Sequence, residues 1–435
     1  MIPVGLVFII ILPVLIFGAT PSWVMPVVEA VAFALCLAAV IGRRGEGPAV
    51  FREGAPVAVP ALFFVLVVLV QVGFGFSINV YDSVVLLLQV LACLGIFFTI
   101  LWYRPRDAAD RRRVPRFVYA LLWTVFGLAL VNSVLFFFQK AAGTALQGFD
   151  IGSVRGAVAG TFRSPNSFSQ FLEMAVPLAM GLLVARYGDT SQLAGSTLLR
   201  EKGHRSKHRR GGTTSKTLLT GFGIVIIICA LLFSLCRGGF VTLPITMLML
   251  LMFMGVAYRL RDRRTLMLYG GVLGAAFLYV LWLGIGPIID EALTLFKPQL
   301  REFTYGDAIR VIGDFPLLGV GLNNWPHIIL QYDSIGSQTW IPRIAYNDTL
   351  QIISETGFAG FACAAAFVGV LYLRAIRALR RGGDGERQGI ILGGITAMTA
   401  ALIHAQFDYF FYLPANAVVF AVIAGVVYRL SSDSN

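Results

Sequence analysis

Apolar residues in this chain come in runs, and twelve of those runs read as membrane-crossing helices, each close to the roughly 20 residues that a crossing takes. They cover Pro3–Ala19, Val24–Ile41, Val57–Phe76, Val84–Trp102, Phe117–Phe138, Ser167–Ala185, Leu218–Leu235, Gly239–Ala257, Leu266–Ile285, Leu350–Leu373, Ile390–Ala405 and Ala415–Tyr428. The first run lacks a basic stretch before it and a clear small-residue cleavage site after it, so it reads as a retained span. The pattern predicts an all-α, polytopic membrane protein, with 1–435 as one transmembrane domain.

Composition narrows the class further. The chain has 435 residues, of which 57% are hydrophobic and only 13% charged, with a mean hydropathy of +0.78. A soluble domain is about a quarter charged. A soluble enzyme, a disordered chain and a secreted disulfide scaffold are all excluded. The five cysteines (Cys36, Cys93, Cys229, Cys236 and Cys363) lie in apolar runs without a CxxC pair, and so read as small packing residues.

The net charge of +12 does not point to nucleic acid. Basic residues of membrane proteins gather in cytoplasmic loops. With the N-terminus inside, 27 of the 35 Lys and Arg fall in inner loops and 8 in outer ones. This asymmetry places both termini in the cytoplasm. The eight outer residues are Lys140, Arg155, Arg163, Arg237, Lys297, Arg301, Arg310 and Arg343. The inner loop 186–216, with its run Arg205 to Arg210, reads as a solvated basic segment near anionic headgroups.

Two outer loops are long, 139–166 and 286–349. Loops of that length between apolar helices are usually functional or disordered. The second carries Trp325 and Trp340 and little low complexity, so it is expected to fold on the outer face.

Candidate chemistry collects on that face. In Gly160 to Ser167, Ser164 can cap a helix that has Pro165 at its first position. A helix N-terminus beside Arg155 and Arg163 suits a phosphate or diphosphate, and an ordinary capped helix is the plain alternative. In Cys236-Arg237-Gly238-Gly239, an arginine near the membrane interface calls for a partner or a wet cavity. The long loop supplies Arg301, Arg310 and His327. Asn347, Asp348 and Glu355 follow, the last two seven residues apart and able to share a helix face. They can act as base and electrostatic partner, or neutralise arginines. His404 and Asp408 form an i,i+4 pair too sparse to hold a metal, and Glu173 is an acid within a span. No Walker A, HExxH or GxSxG motif is present. No metal and no cofactor are expected.

The order of these clusters resembles the bacterial O-antigen ligase / O-antigen polymerase superfamily. Gly160-Thr161-Phe162-Arg163-Ser164-Pro165-Asn166 looks like its Pro-Asn motif, and Ser234 to Gly239 like its Ser-x-x-Arg-Gly-Gly turn. Asp314 to Gly321 looks like its Pro-x-x-Gly-x-Gly segment, and His404 to Asn416 like the stretch before its last span. The resemblance covers roughly 140 to 430. It implies about twelve helices with a large outer (periplasmic) loop between spans nine and ten. It also implies metal-independent, inverting glycosyl transfer from a glycan on undecaprenyl diphosphate, at the outer face of the inner membrane. Arg237 would hold the diphosphate with Arg155 or Arg163, and Asn166 belongs to the same motif. The implied partners are a lipid-linked oligosaccharide donor, a glycan or lipid acceptor and membrane lipids, and the resemblance admits a chain-length regulator. In the ligase pattern, a His precedes a Gly-x-x-Gly register. Here Asn347, Gly357 and Gly360 keep the register, but Tyr346 stands where the His is expected. A phenol with a pKa near 10 is a poor base at neutral pH. The reading is therefore polysaccharide biosynthesis by a polymerase of O-antigen or exopolysaccharide. A ligase serving lipopolysaccharide or a protein acceptor, and a transporter or flippase of a lipid-linked anion, are the alternatives.

Overall fold

The computed structural model describes residues 1–44, 49–104, 114–143, 158–197, 206–257, 263–293, 300–334 and 342–432. Among them, every regular element is helical. The helices are α1 (Ile2–Leu15), α2 (Val24–Ile41), α3 (Ala49–Gly73), α4 (Val80–Trp102), α5 (Arg116–Ala142), α6 (Pro165–Thr197), α7 (Ser206–Phe233), α8 (Arg237–Val256), α9 (Arg263–Leu283), α10 (Gly286–Ala292), α11 (Leu300–Asp314), α12 (Trp325–Tyr332), α13 (Asp348–Arg381), α14 (Gly385–His404) and α15 (Pro414–Ser432). The protein is thus an all-α polytopic membrane protein.

Each of the twelve apolar runs falls on a helix. Ten helices among the described residues are long and apolar enough to cross a bilayer. The other two runs fall on α1 and α14. At 1.5 Å per residue, the 14-residue α1 is about 21 Å long, short of the ~30 Å hydrocarbon core. Helix α14 starts with Glu386, Arg387 and Gln388, which lower its apolar content. Residues 286–349 carry α10, α11 and α12.

The chain divides into two compact units. The first comprises Met1–Tyr103, Thr294–Leu373 and Ala401–Gly425; the second comprises Arg104–Leu293, Arg374–Ala400 and Val426–Asn435. In the second unit α6 is the central helix, and every residue from Ser167 to Ala185 is buried. In the first unit α2 packs along α4, and α12 packs on α11. Trp325 is fully buried there beside Ala308, Ile329 and Ala345, and its indole N–H donates to the Pro342 carbonyl at 3.1 Å.

Helix α13 is broken inside the first unit. Gly357 has φ 65° and ψ −176°, which interrupts the helical ladder. Freed backbone groups in a buried helix must find other partners. The segment 316–321 supplies them. Phe358 N–H donates to Pro316 O at 2.8 Å and Ala359 N–H to Leu317 O at 3.2 Å. In return, Val320 N–H donates to Ser354 O at 3.1 Å and Gly321 N–H to Glu355 O at 2.9 Å. From α3, the Gln71 side-chain amide adds a bond to Glu355 O at 2.7 Å. A Cβ on Gly357 would lie 2.1 Å from Leu317 O, and one on Gly319 would lie 2.4 Å from the Glu355 carbonyl carbon. The Pro-x-x-Gly-x-Gly segment and Gly357 are therefore two halves of one backbone junction.

Candidate functional site

In the second unit, the first turn of α8 packs against the second and third turns of α6. Ser164 caps α6, its hydroxyl accepting Ser167 N–H at 3.1 Å, with Pro165 opening the helix as expected. Helix α8 starts at Arg237. A Cβ on Gly239 would lie 2.6 Å from Ser169 Oγ and 3.3 Å from Glu173 Oε1. A side chain there would have to displace the Ser169 hydroxyl. Ser169 in turn donates to Glu173 at 2.8 Å. The start of α8 thus lies beside the N-terminal half of the α6 span, with Arg163 just before α6 and Arg237 at the first position of α8. Arg237 Nε donates to Glu291 Oε1 of α10 at 2.7 Å, and both side chains remain about a third exposed (31% and 28%). Arg163 and Asn166 are half-buried.

The segment that carries Arg163 is held from α5. Asn132 Oδ1 accepts the Thr161 N–H at 2.9 Å and the Thr161 hydroxyl at 2.7 Å. The Gln139 side chain bonds both backbone groups of Gly160, at 2.9 and 3.0 Å. Lys140 donates to Phe233 O, the last carbonyl of α7, at 3.2 Å and lies over the Phe136 and Phe233 rings. That places Lys140 at a helix C-terminus, where a cation is stabilising.

In the first unit, a polar core ties α4, α12 and α13 together. Asn79 caps α4 and accepts Asp82 N–H at 3.3 Å. Asn79 N–H donates to Asn324 Oδ1 at 2.6 Å, and the Asn324 amide reaches Ser83 Oγ at 2.8 Å. His327 Nε2, in the first turn of α12, lies 2.6 Å from Asp82 Oδ2. The pair is partly open, with exposures of 37% and 31%. A carboxylate on one ring nitrogen orients an imidazole and leaves the other nitrogen to take a proton.

Glu355 has a different setting. Its carboxylate accepts the Tyr412 hydroxyl at 2.6 Å, Asn323 N–H at 2.7 Å, the Gln351 amide at 3.1 Å and Trp325 N–H at 3.2 Å. Burial and the nearby carboxylate push the Tyr412 phenol well above its ordinary value, so it stays a neutral donor. With four donors, Glu355 acts here as a clamp on the loop that presents His327.

Asp348 begins α13. Its Oδ2 accepts Phe410 N–H at 2.9 Å and Phe411 N–H at 2.8 Å, while Oδ1 is buried without a hydrogen-bond partner. Asp348 also lines an apolar cavity of about 600 Å³ within the first unit, whose walls include Phe64, Phe97, Ile352 and Phe420. Asn347 caps α13, accepting Leu350 N–H at 3.0 Å, and donates to Gln406 O at 3.0 Å. Tyr346 has φ 52°, its carbonyl receives the Tyr305 hydroxyl at 3.2 Å, and its ring meets Tyr409 edge-on. His404 is buried at the end of α14. Arg310 bonds Asp307 and donates to Tyr332 O at 2.5 Å, which links α11 to the end of α12.

Arg155 lies outside the described residues, as does the side chain of Arg301. Among the described residues no group of three or more His, Cys, Asp and Glu is placed to hold a metal. Asp82, Glu291, Asn132, Gln139 and Tyr412 belong to these clusters and carry no distinct motif in the sequence. Asp82 had one visible signal: Asn79-x-x-Asp82 has the spacing of a helix cap and its first-turn acid.

Residues 222–365, about a third of the chain, match the family model described as O-antigen ligase. The match supports the O-antigen ligase / O-antigen polymerase superfamily and, in general terms, ligase- or polymerase-type activity. No curated protein sequence matches the chain.

Proposed function

We propose that this chain, taken as a member of the O-antigen ligase / O-antigen polymerase superfamily, is a glycan polymerase working on a lipid-linked donor at the outer face of the inner membrane, with both termini cytoplasmic. The orientation rests on the 27-to-8 division of basic residues. The donor is a glycan on undecaprenyl diphosphate, and no metal takes part.

The observation that carries this reading is the packing of the start of α8 against α6. Two neighbouring helices that start beside Arg163 and at Arg237 support a role for these arginines and helix N-termini in holding a diphosphate. In an inverting displacement, an acceptor hydroxyl attacks the anomeric carbon while the bond to the diphosphate breaks. The leaving diphosphate keeps the electron pair, and fixed cations stabilise the charge that builds on it. Within the second unit, Arg237 and Arg163 take that role, with Glu291 orienting Arg237 through the 2.7 Å bond. Arg155 and Arg301 remain proposed donor contacts.

The hydroxyl proton needs an acceptor. Within the first unit, His327 is the better base than Tyr346, since its imidazole is already oriented by Asp82. Glu355 is saturated with donors, and Asp348 keeps one open oxygen. The absence of a family His at Tyr346 favours a polymerase. The His327–Asp82 pair, which restores an imidazole, also supports the rival ligase reading.

Purified protein with a donor that bears a single repeat unit tests both. A polymerase lengthens that donor to a ladder. Transfer of the lone repeat to a lipid or protein acceptor without lengthening identifies a ligase. Neither product, with lipid flipping intact, would leave the transporter reading.

A further inference from the structure

We propose that Arg374, Arg377 and Arg381 of α13, with Ser431 and Ser432 at the end of α15, form a binding site for a phosphate group at the membrane–water boundary. The site lies wholly in the second unit and does not depend on the glycosyl-transfer reading. These five residues line a small pocket of about 200 Å³. Among the described residues, its lining offers donors and positive charge and no carboxylate.

The three arginines recur at i, i+3 and i+7, so they share one face of α13. Arg374 is fixed in place. It donates to Ser432 Oγ at 2.6 Å, and its guanidinium lies 4.4 Å from the Tyr428 ring centroid. Arg377 and Arg381 are exposed. Among the described residues, no ion pair engages any of the three. The next acid along the chain, Asp384, accepts the Glu386 N–H at 3.3 Å, and Glu386 receives the Tyr119 hydroxyl.

Arginines near helix C-termini often serve only the backbone dipole. Here the helix ends have other partners. Leu379 O of α13 accepts Gly382 N–H and the Gln388 amide, both at 3.4 Å, and Leu430 O of α15 accepts Arg387 Nε at 2.6 Å. The Arg377 and Arg381 guanidinium groups are thus spare, planar, multi-donor cations, beside the Ser431 hydroxyl and a Ser432 hydroxyl that already donates to Tyr428 O at 2.8 Å. That set matches a phosphate, which guanidinium groups bind in bidentate fashion. Both helices read as membrane spans that end here, which is the depth of lipid headgroups. The phosphate is therefore that of an anionic phospholipid or of a soluble phosphate compound.

The test uses the purified full chain. Native mass spectrometry after exchange into mixed phosphatidylglycerol and phosphatidylcholine should show preferential retention of phosphatidylglycerol. Arg377→Gln/Arg381→Gln should weaken that retention by roughly fivefold per arginine removed. Arg104→Gln/Arg116→Gln, which removes the same charge from another basic stretch, should leave it unchanged. A parallel thermal-shift titration with inorganic phosphate and pyrophosphate separates the sources. A shift that the double variant abolishes, without lipid retention, assigns a soluble phosphate; lipid retention without a shift assigns a headgroup. The site is overturned if the wild-type chain shows neither response. It is also overturned if Arg377→Gln/Arg381→Gln behaves like the wild type, or if the control pair loses as much as the site pair.

Discussion

His327 and Asp82 are 245 positions apart in the chain, yet His327 Nε2 lies 2.6 Å from Asp82 Oδ2. Each sits in the first turn of its helix, and Asn324 and Asn79 hold the two turns together. If this pair removes the acceptor proton, His327→Ala should lower kcat for chain extension by about 100-fold or more. Asp82→Asn should give a smaller loss, because the amide can still orient the ring without the charge. The KM for the lipid-linked donor should stay unchanged in both. Wild-type kcat in His327→Ala would remove the histidine from the mechanism.

Arg237 separates catalysis from stability. Its ion pair with Glu291 is partly exposed, and pairs of that kind contribute about 0–1 kcal/mol. Arg237→Ala should therefore elute and melt like the parent. Loss of one preorganised charge at a leaving group should still cost about 100- to 1,000-fold in rate. Lys140→Met is the contrasting substitution. It should lower thermal stability slightly, by about 1 kcal/mol for a helix-end cation, and leave turnover alone.

Glu355 should behave as a structural group. Glu355→Ala leaves four buried donors unsatisfied, each worth about 1–3 kcal/mol, so little folded protein should be recovered. Tyr412→Phe removes a single donor from the carboxylate and should cost about 1 kcal/mol. Size-exclusion profiles after a heating series rank the variants. A Glu355→Ala protein that melts normally but is inactive would instead make Glu355 catalytic.

The junction at Gly357 gives a steric prediction. Gly357→Ala places a methyl 2.1 Å from Leu317 O at a positive φ, and should prevent folding of the first unit. Gly271→Ala in α9 meets nothing within 4 Å and is the matched control. It should be neutral or stabilising by up to about 1 kcal/mol. Equal yields of the two variants would rule out the broken helix as described.

Much of the architecture was legible in the sequence because burial in a membrane is one-dimensional information. A run such as Ser167–Ala185 must be helical to satisfy its own backbone in a setting without water. Helix starts were legible where a local side chain does the capping, as Ser164 with Pro165 does. What the glycine motifs do was not legible. Gly319 and Gly357 read as family signatures, yet their role is a mutual close approach of two backbones, and neither residue's neighbours in sequence reveal the other. The same holds for Asn132 and Gln139, which look like ordinary polar residues of a span until they are seen to hold the Arg163 segment.

By itself, the sequence determined the all-helical class, the ordering of the apolar runs, and the clusters that resemble the superfamily. Those are properties of local composition and period. Tertiary structure alone decided which polar groups meet. It saturated Glu355 with donors, set Asp82 against His327, engaged Lys140 and Arg310 in helix contacts, and gathered three of the supposedly orienting arginines around one small pocket. The physical reason is that a hydrogen bond or ion pair acts over about 3 Å of space. Partners separated by hundreds of residues leave no mark in the local pattern.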